Sequence, residues 1–164
     1  MKIRFLKTDT RMDEMTCYLE DGSLVSYPLP RQGILPHDLI YLLVETLLGW
    51  EDGFFGSLAR KEDMIYQIGQ KGGVVSEQNI HTLQIEALVE SFKAELWMGG
   101  HESPYFAESL VMACNARGVP TPMIAKSELE KMRLKFAETG ILWDRLSASE
   151  YIDFEYSPYV SIPD

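Results

Sequence analysis

The stretch PHDLIYLLVETLLG, residues 36–49, constrains the fold more than any other part of the chain. Pro36 suits a first helical turn, where its missing N–H leaves no bond unmade, and Gly49 suits a helix stop. Between them Leu39, Ile40, Leu42, Leu43, Val44, Leu47 and Leu48 cover most of the helix circumference. A helix apolar on so many sides must lie in the middle of a core. Its polar residues His37, Asp38, Tyr41 and Glu45 all fall within an arc of roughly 100°, given 3.6 residues per turn. Such a stripe on a buried helix must face water or a polar cavity.

The residues ahead of this helix read as strands. Residues 2–8 alternate Ile3 and Phe5 with Arg4 and Leu6, and residues 15–20 place Met15, Cys17 and Leu19 on one face. Asp21-Gly22 then supplies the pair that favours a two-residue hairpin turn. SLVSYPLP returns as a third strand and is stopped by Pro28 and Pro30. These features predict a three-stranded antiparallel meander over residues 1–30.

The remainder reads as helical. WEDGFFGSLARKEDM predicts a short helical turn wrapped over the core, and KGG at 71–73 a loop. Ser76 is placed to cap a long helix from Glu77 to Met98, ended by Gly99-Gly100. Ser103-Pro104 starts another helix, with Gly118 past its end. Ser127 and Glu130 have capping-box spacing for a helix to about Thr139, closed by Gly140. Ser147 and Glu150 repeat that spacing more weakly. DFEYSPYVSIPD then predicts an extended acidic tail on the surface, assigned to residues 151–164. The expected fold is α+β: the N-terminal meander, then a bundle-like core of four to five helices over residues 36–150. At 164 residues it fits a single domain, long enough to bury a core without covalent staples.

Charge and cysteine content bound the partners and the location. The formal net charge is −10. The first 35 residues are balanced, so the acidic excess lies beyond them. Lys131, Arg133 and Lys135 are the densest basic group, and alternate positions on a helix spread around it. An anionic phosphate backbone or membrane surface is therefore disfavoured as a partner. Cys17 and Cys114 are far apart, lack metal-ligand spacing and fall on apolar faces, which predicts buried free thiols. No stretch has the length of a membrane span, and the N-terminus has no apolar export signal. A soluble cytoplasmic protein is the expectation.

Catalytic signatures are sparse. The chain has no GxSxG elbow, phosphate-binding P-loop, GxGxxG, CxxC or HExxH. GWEDGFFG lacks the lysine of a phosphate cradle and reads as a turn with two core phenylalanines. The polar stripe is the one candidate site. An imidazole with carboxylates at i+1 and i+8 can converge on a divalent ion or polarise a water. His37, Asp38 and Glu45 are thus candidate metal ligands, with Tyr41, His81 and His101 as possible additions. The leading reading of the stripe is nonetheless a solvated face, where an acid in the first turn complements the helix dipole; a structural hydrogen-bond network is the third.

LPHDLIYLLVETLLGWEDGFFGSLA resembles an uncharacterised bacterial protein family. Its members begin with a similar hairpin and carry a helix of the form LPHDLxHxxVE before a glycine-aromatic segment. The likeness spans about the first 60 residues and implies no established activity. His37, Asp38 and Glu45 match the pattern. The family's second histidine is Tyr41 here, a poorer metal ligand at neutral pH, since a phenol titrates near 10. The HDxxH signature of a coenzyme Q biosynthesis family is a fainter likeness, and it fails at Tyr41 and Gly53.

His81 shares a helix face with Ile85, Leu88 and Phe92 and is expected to be buried, and His101 is expected in an exposed loop. Glu86 and Glu90 read as a solvated acidic pair, with Lys93 nearby. With no complete catalytic set, the leading expectation is a non-catalytic module that binds a protein partner or small ligand and needs no cofactor. An exposed apolar patch around Trp50, Phe54, Phe55 and Tyr105 would serve it. The alternative is a divalent-metal-dependent, hydrolase-like enzyme using His37, Asp38 and Glu45.

Overall fold

The structure is a computed structural model that describes residues 1–31, 33–61 and 80–157. Strand β1 spans Lys2–Leu6, β2 Met12–Tyr18 and β3 Leu24–Pro30. Helices follow: α1 His37–Leu48, α2 Phe54–Ala59, α3 Ile80–Trp97, α4 Phe106–Ala116 and α5 Lys126–Arg145. A last strand, β4, spans Tyr151–Glu155. The protein is α+β, as its patterning predicts. Ser76, the KGG at 71–73 and the end of the chain beyond residue 157 lie outside the described residues.

The sheet differs from the expected meander by one strand. All neighbours are antiparallel, in the order β3-β2-β1-β4. Residues 151–155, expected in a surface tail, pair along the whole of β1, with Lys2 opposite Glu155 and Leu6 opposite Tyr151. Two forces override the acidic composition. Phe154 meets Phe5 edge to face at 5.8 Å on the inner side. On the outer side Arg4 grips Asp153 with two hydrogen bonds of 2.7 and 2.8 Å and lies over the Tyr151 ring. The β2–β3 connection is also longer than a two-residue turn. Leu19 N–H donates to Ser23 O, so Glu20, Asp21 and Gly22 form the bend, with Gly22 at φ +85°.

The inner sheet face presents Ile3, Phe5, Met15, Cys17 and Leu29, all buried. Burial pushes the Cys17 thiol up to about 12, so it is an inert thiol at neutral pH. Seven successive residues of α1, Leu39 to Glu45, are buried, and α1 packs against α3 and α5. The central place inferred from its sequence is the one it occupies. Gly49 ends it in the left-handed conformation at φ +65°.

Helix α5 departs from expectation at both ends. It begins after Ala125, where the Glu128 carboxylate accepts the Ala125 N–H at 3.0 Å, two residues before the expected Ser127–Glu130 box. It also runs through Gly140 to Arg145. Met132, Phe136, Thr139, Gly140 and Trp143 form one buried face, and the burial of Trp143 outweighs the roughly 1 kcal/mol propensity cost of a helical glycine. The Ser147–Glu150 pair closes a turn into β4 and starts no helix; Ser147 N–H donates to the Glu150 carboxylate.

A buried ion pair locks the far end of the helices. Arg133 of α5 donates from Nε and Nη2 to Glu95 of α3 at 2.8 and 3.0 Å. Glu95 also accepts the Ser103 N–H with its side chain and the Gly100 N–H with its backbone oxygen. The turn from α3 to α4 is therefore folded tightly around one carboxylate.

Candidate functional site

The polar stripe of α1 lies along its seam with α3, and its members have different fates. His37 stands in the first turn, partly exposed. Its Nδ1 is 3.0 Å from Asp38 Oδ1, and its Nε2 is 3.0 Å from Glu86 Oε2 on α3. Asp38 and then Glu86 raise the imidazole pKa to about 9, against the lowering effect of burial. At neutral pH the ring is therefore a cation donating from both nitrogens.

One turn on, Tyr41 is buried, and its hydroxyl oxygen accepts the Phe54 N–H at 3.3 Å. Burial, then the Glu45 and Glu86 carboxylates, raise the phenol well above its ordinary value. Tyr41 therefore stays neutral.

Glu45 is 1% exposed and points at the start of α2. It accepts the Phe55 N–H at 3.0 Å, the Gly56 N–H at 2.7 Å and the Tyr156 hydroxyl at 2.8 Å. Burial raises its pKa and these donors offset part of the rise. The fit depends on two glycines. A Cβ on Gly53 would sit 2.5 Å from Glu45 Oε2, and one on Gly56 would sit 1.8 Å from the Glu51 carbonyl oxygen. Glu45 thus joins α1, α2 and the residue that follows β4. The glycine-aromatic segment is read best as the seat for this carboxylate.

His81 forms a separate cluster. It is half-exposed, unlike its face-mates Ile85, Leu88 and Phe92, which are buried. Its ring stacks on Trp50 at 4.2 Å, and its Nδ1 is 2.7 Å from Asp52 Oδ1. Residues 81 and 86 are about 7.5 Å apart along α3, at 1.5 Å per residue. His101 is exposed in the α3–α4 turn. Among the described residues, no group of three or more His, Cys, Asp or Glu side chains is arranged to hold a metal ion.

Three participants were not singled out from the sequence. Glu86 read as part of a solvated pair, Asp52 fell unremarked in the segment read as a short helical turn, and Tyr156 read as tail. Glu90, the other member of that pair, does lie outward, 2.7 Å from Arg117. Helical spacing gave one usable signal: Glu86 falls on the α3 face that meets α1, next to Ile85 and Val89, both buried.

The apolar patch expected around Trp50, Phe54, Phe55 and Tyr105 does not form. Phe55 is fully buried, Phe54 packs edge to face on Tyr27 and Tyr41, and Trp50 lies under His81. Only Tyr105 is exposed. Three large side chains on the α3–α4 connection are exposed, Trp97 at 71%, Met98 at 73% and Tyr105 at 65%; Met112, Met123 and Leu134 are comparably exposed elsewhere.

In comparisons with known proteins, no protein-family model, curated protein or solved structure matches the chain. No helix among the described residues is long and apolar enough to cross a membrane.

Proposed function

We propose that the chain is a small non-catalytic binding module that docks a protein partner at the α3–α4 turn. The observation behind this is the exposure of Trp97, Met98 and Tyr105 on a turn held rigid by Glu95 and Arg133. Tryptophan, tyrosine and methionine are side chains enriched at interfaces, and a pinned backbone lowers the entropy lost on docking.

The divalent-metal alternative rests on His37, Asp38 and Glu45. The hydrogen bonding weighs against it: the His37 ring has both nitrogens on carboxylates, and Glu45 already accepts three donors.

The test is a photo-reactive amino acid placed at Met98, at Tyr105 and, as a control, at Lys126, in cells that make the protein. Discrete protein adducts are expected from the first two positions and none from the third. Absence of adducts at 98 and 105, or the same adducts from 126, would overturn the proposal. Elemental analysis of protein purified without chelator addresses the alternative. Near-stoichiometric zinc, iron or manganese that vanishes in His37→Ala would replace the binding module with a metal enzyme.

A further inference from the structure

Trp50, Asp52 and His81 form a surface cluster apart from both the α1 stripe and the α3–α4 turn. Trp50 and Asp52 come from the turn between α1 and α2. That turn is pinned, because the Trp50 N–H donates to Glu45 O at 3.3 Å and the Glu45 carboxylate seats the start of α2. His81 comes from α3. The Trp50 and His81 rings stack with centroids 4.2 Å apart and planes 16° apart. The stack fixes the plane of the imidazole, although its side chain is 39% exposed.

The hydrogen bond to Asp52 then sets the roles of the two ring nitrogens. Asp52 Oδ1 accepts the Nδ1–H at 2.7 Å, and a carboxylate has no proton to give in return. A neutral His81 ring therefore carries its proton on Nδ1 and a lone pair on Nε2. Nε2 has no hydrogen-bond partner among the described residues. It is not sealed in either, since Arg133 Nη1 is the only buried side-chain nitrogen or oxygen without a partner among those residues. The other two histidines differ. His37 has a carboxylate on each nitrogen, and His101 is exposed with no carboxylate to orient it among the described residues. His81 alone combines an oriented ring with a free nucleophilic nitrogen.

We propose that His81 Nε2 accepts a phosphoryl group from a phosphohistidine on another protein. An oriented imidazole lone pair is a nucleophile, and a carboxylate on the far nitrogen stabilises the imidazolium that forms. Nε2 attacks phosphorus and the new N–P bond forms. The donor's N–P bond breaks, and its electron pair returns to the donor's imidazole nitrogen. The Nδ1 proton stays in place on Asp52, so the product is a phosphoimidazolium beside a carboxylate. One N–P bond replaces another, which makes the transfer reversible. A half-exposed ring can enter a donor protein's active site, whereas chemistry on a small substrate needs a pocket that buries most of it. The site is separate from the α3–α4 docking turn, and neither proposal needs the other.

The test incubates the full chain with potassium phosphoramidate, the simplest N–P donor, whose leaving group is ammonia. Phosphorus-31 NMR and mass spectrometry at neutral pH follow the product. One phosphoryl group is expected on His81 Nε2, with its signal absent in His81→Gln. His101 is the internal reference for an exposed, unassisted imidazole. Labelling of His81 should outpace that of His101 at least about tenfold, and Asp52→Asn should slow His81 by a similar factor with His101 unchanged; the same carboxylate-to-amide change costs roughly 10⁴-fold in a Ser-His-Asp triad. No labelling of His81, a smaller ratio to His101, attachment at Nδ1, or an unchanged rate in Asp52→Asn would each overturn the assignment.

Discussion

Replacing Glu45 tests the interior of the α1 stripe most directly. In Glu45→Ala the Phe55 N–H, the Gly56 N–H and the Tyr156 hydroxyl lose their acceptor inside the core. An orphaned buried donor costs about 1–3 kcal/mol. The buried carboxylate's own desolvation penalty is relieved at the same time, so the net loss is set at about 3–5 kcal/mol. Glu45→Gln keeps one oxygen for Gly56 and Tyr156 but turns an amide NH₂ toward the Phe55 N–H. One mismatched donor pair costs about 1–3 kcal/mol. Either loss is a large share of a total stability of about 5–15 kcal/mol. Urea denaturation followed by circular dichroism measures both, and a cycle with Tyr156→Phe isolates the link to the residue after β4. The pH dependence adds a sign. Burial raises Glu45 in the folded state, so the native protein holds that proton more tightly than the unfolded chain. Its contribution is greatest below the ordinary carboxylate range and declines as pH rises through the folded value. Glu45→Gln should flatten that decline. Both variants within about 0.5 kcal/mol of the parent, the scatter of an ordinary surface substitution, would refute the placement of Glu45.

Two further outcomes follow from the ion pairs. His37, raised to about 9, contributes stability that is complete below its unfolded value near 6.5 and is lost as pH rises through about 9. NMR titration of the ring should find the high value, falling toward 6.5 in Glu86→Gln; a parent ring titrating near 6.5 would contradict the geometry. Arg133→Met leaves the Glu95 carboxylate buried without its partner and should cost about 3–5 kcal/mol. The Glu95→Leu, Arg133→Met double variant should recover part of that loss in the same denaturation assay, and a double variant worse than Arg133→Met alone would count against it.

Much of the architecture was legible because it rests on local periodicity. Alternation marked β1 to β3, and the apolar circumference of residues 36–48 placed α1 at the centre. Gly49 marked its end because only a residue free to take positive φ fits there. The departures arose where a distant partner outweighs a local rule. Glycine at 140 reads as a stop, yet Trp143 draws α5 onward into the core. Acidic residues 151–155 read as a solvated tail, yet Arg4 and Phe5 convert them into a strand.

The candidate site divides along the same line. Helical geometry was sufficient to put His37, Asp38, Tyr41 and Glu45 on one stripe. Whether that stripe faces water, a ligand or other protein groups depends on backbone and side-chain groups 10 to 111 positions away in sequence, which no local pattern encodes. The sequence determined which faces are apolar and which residues can bend the chain, because those follow from the chemistry of near neighbours. Only the tertiary structure decided that Glu86 meets His37, that Tyr156 meets Glu45 and that Trp97 is left exposed on Gly33. Those contacts depend on how whole elements pack, and packing is a property of the folded chain.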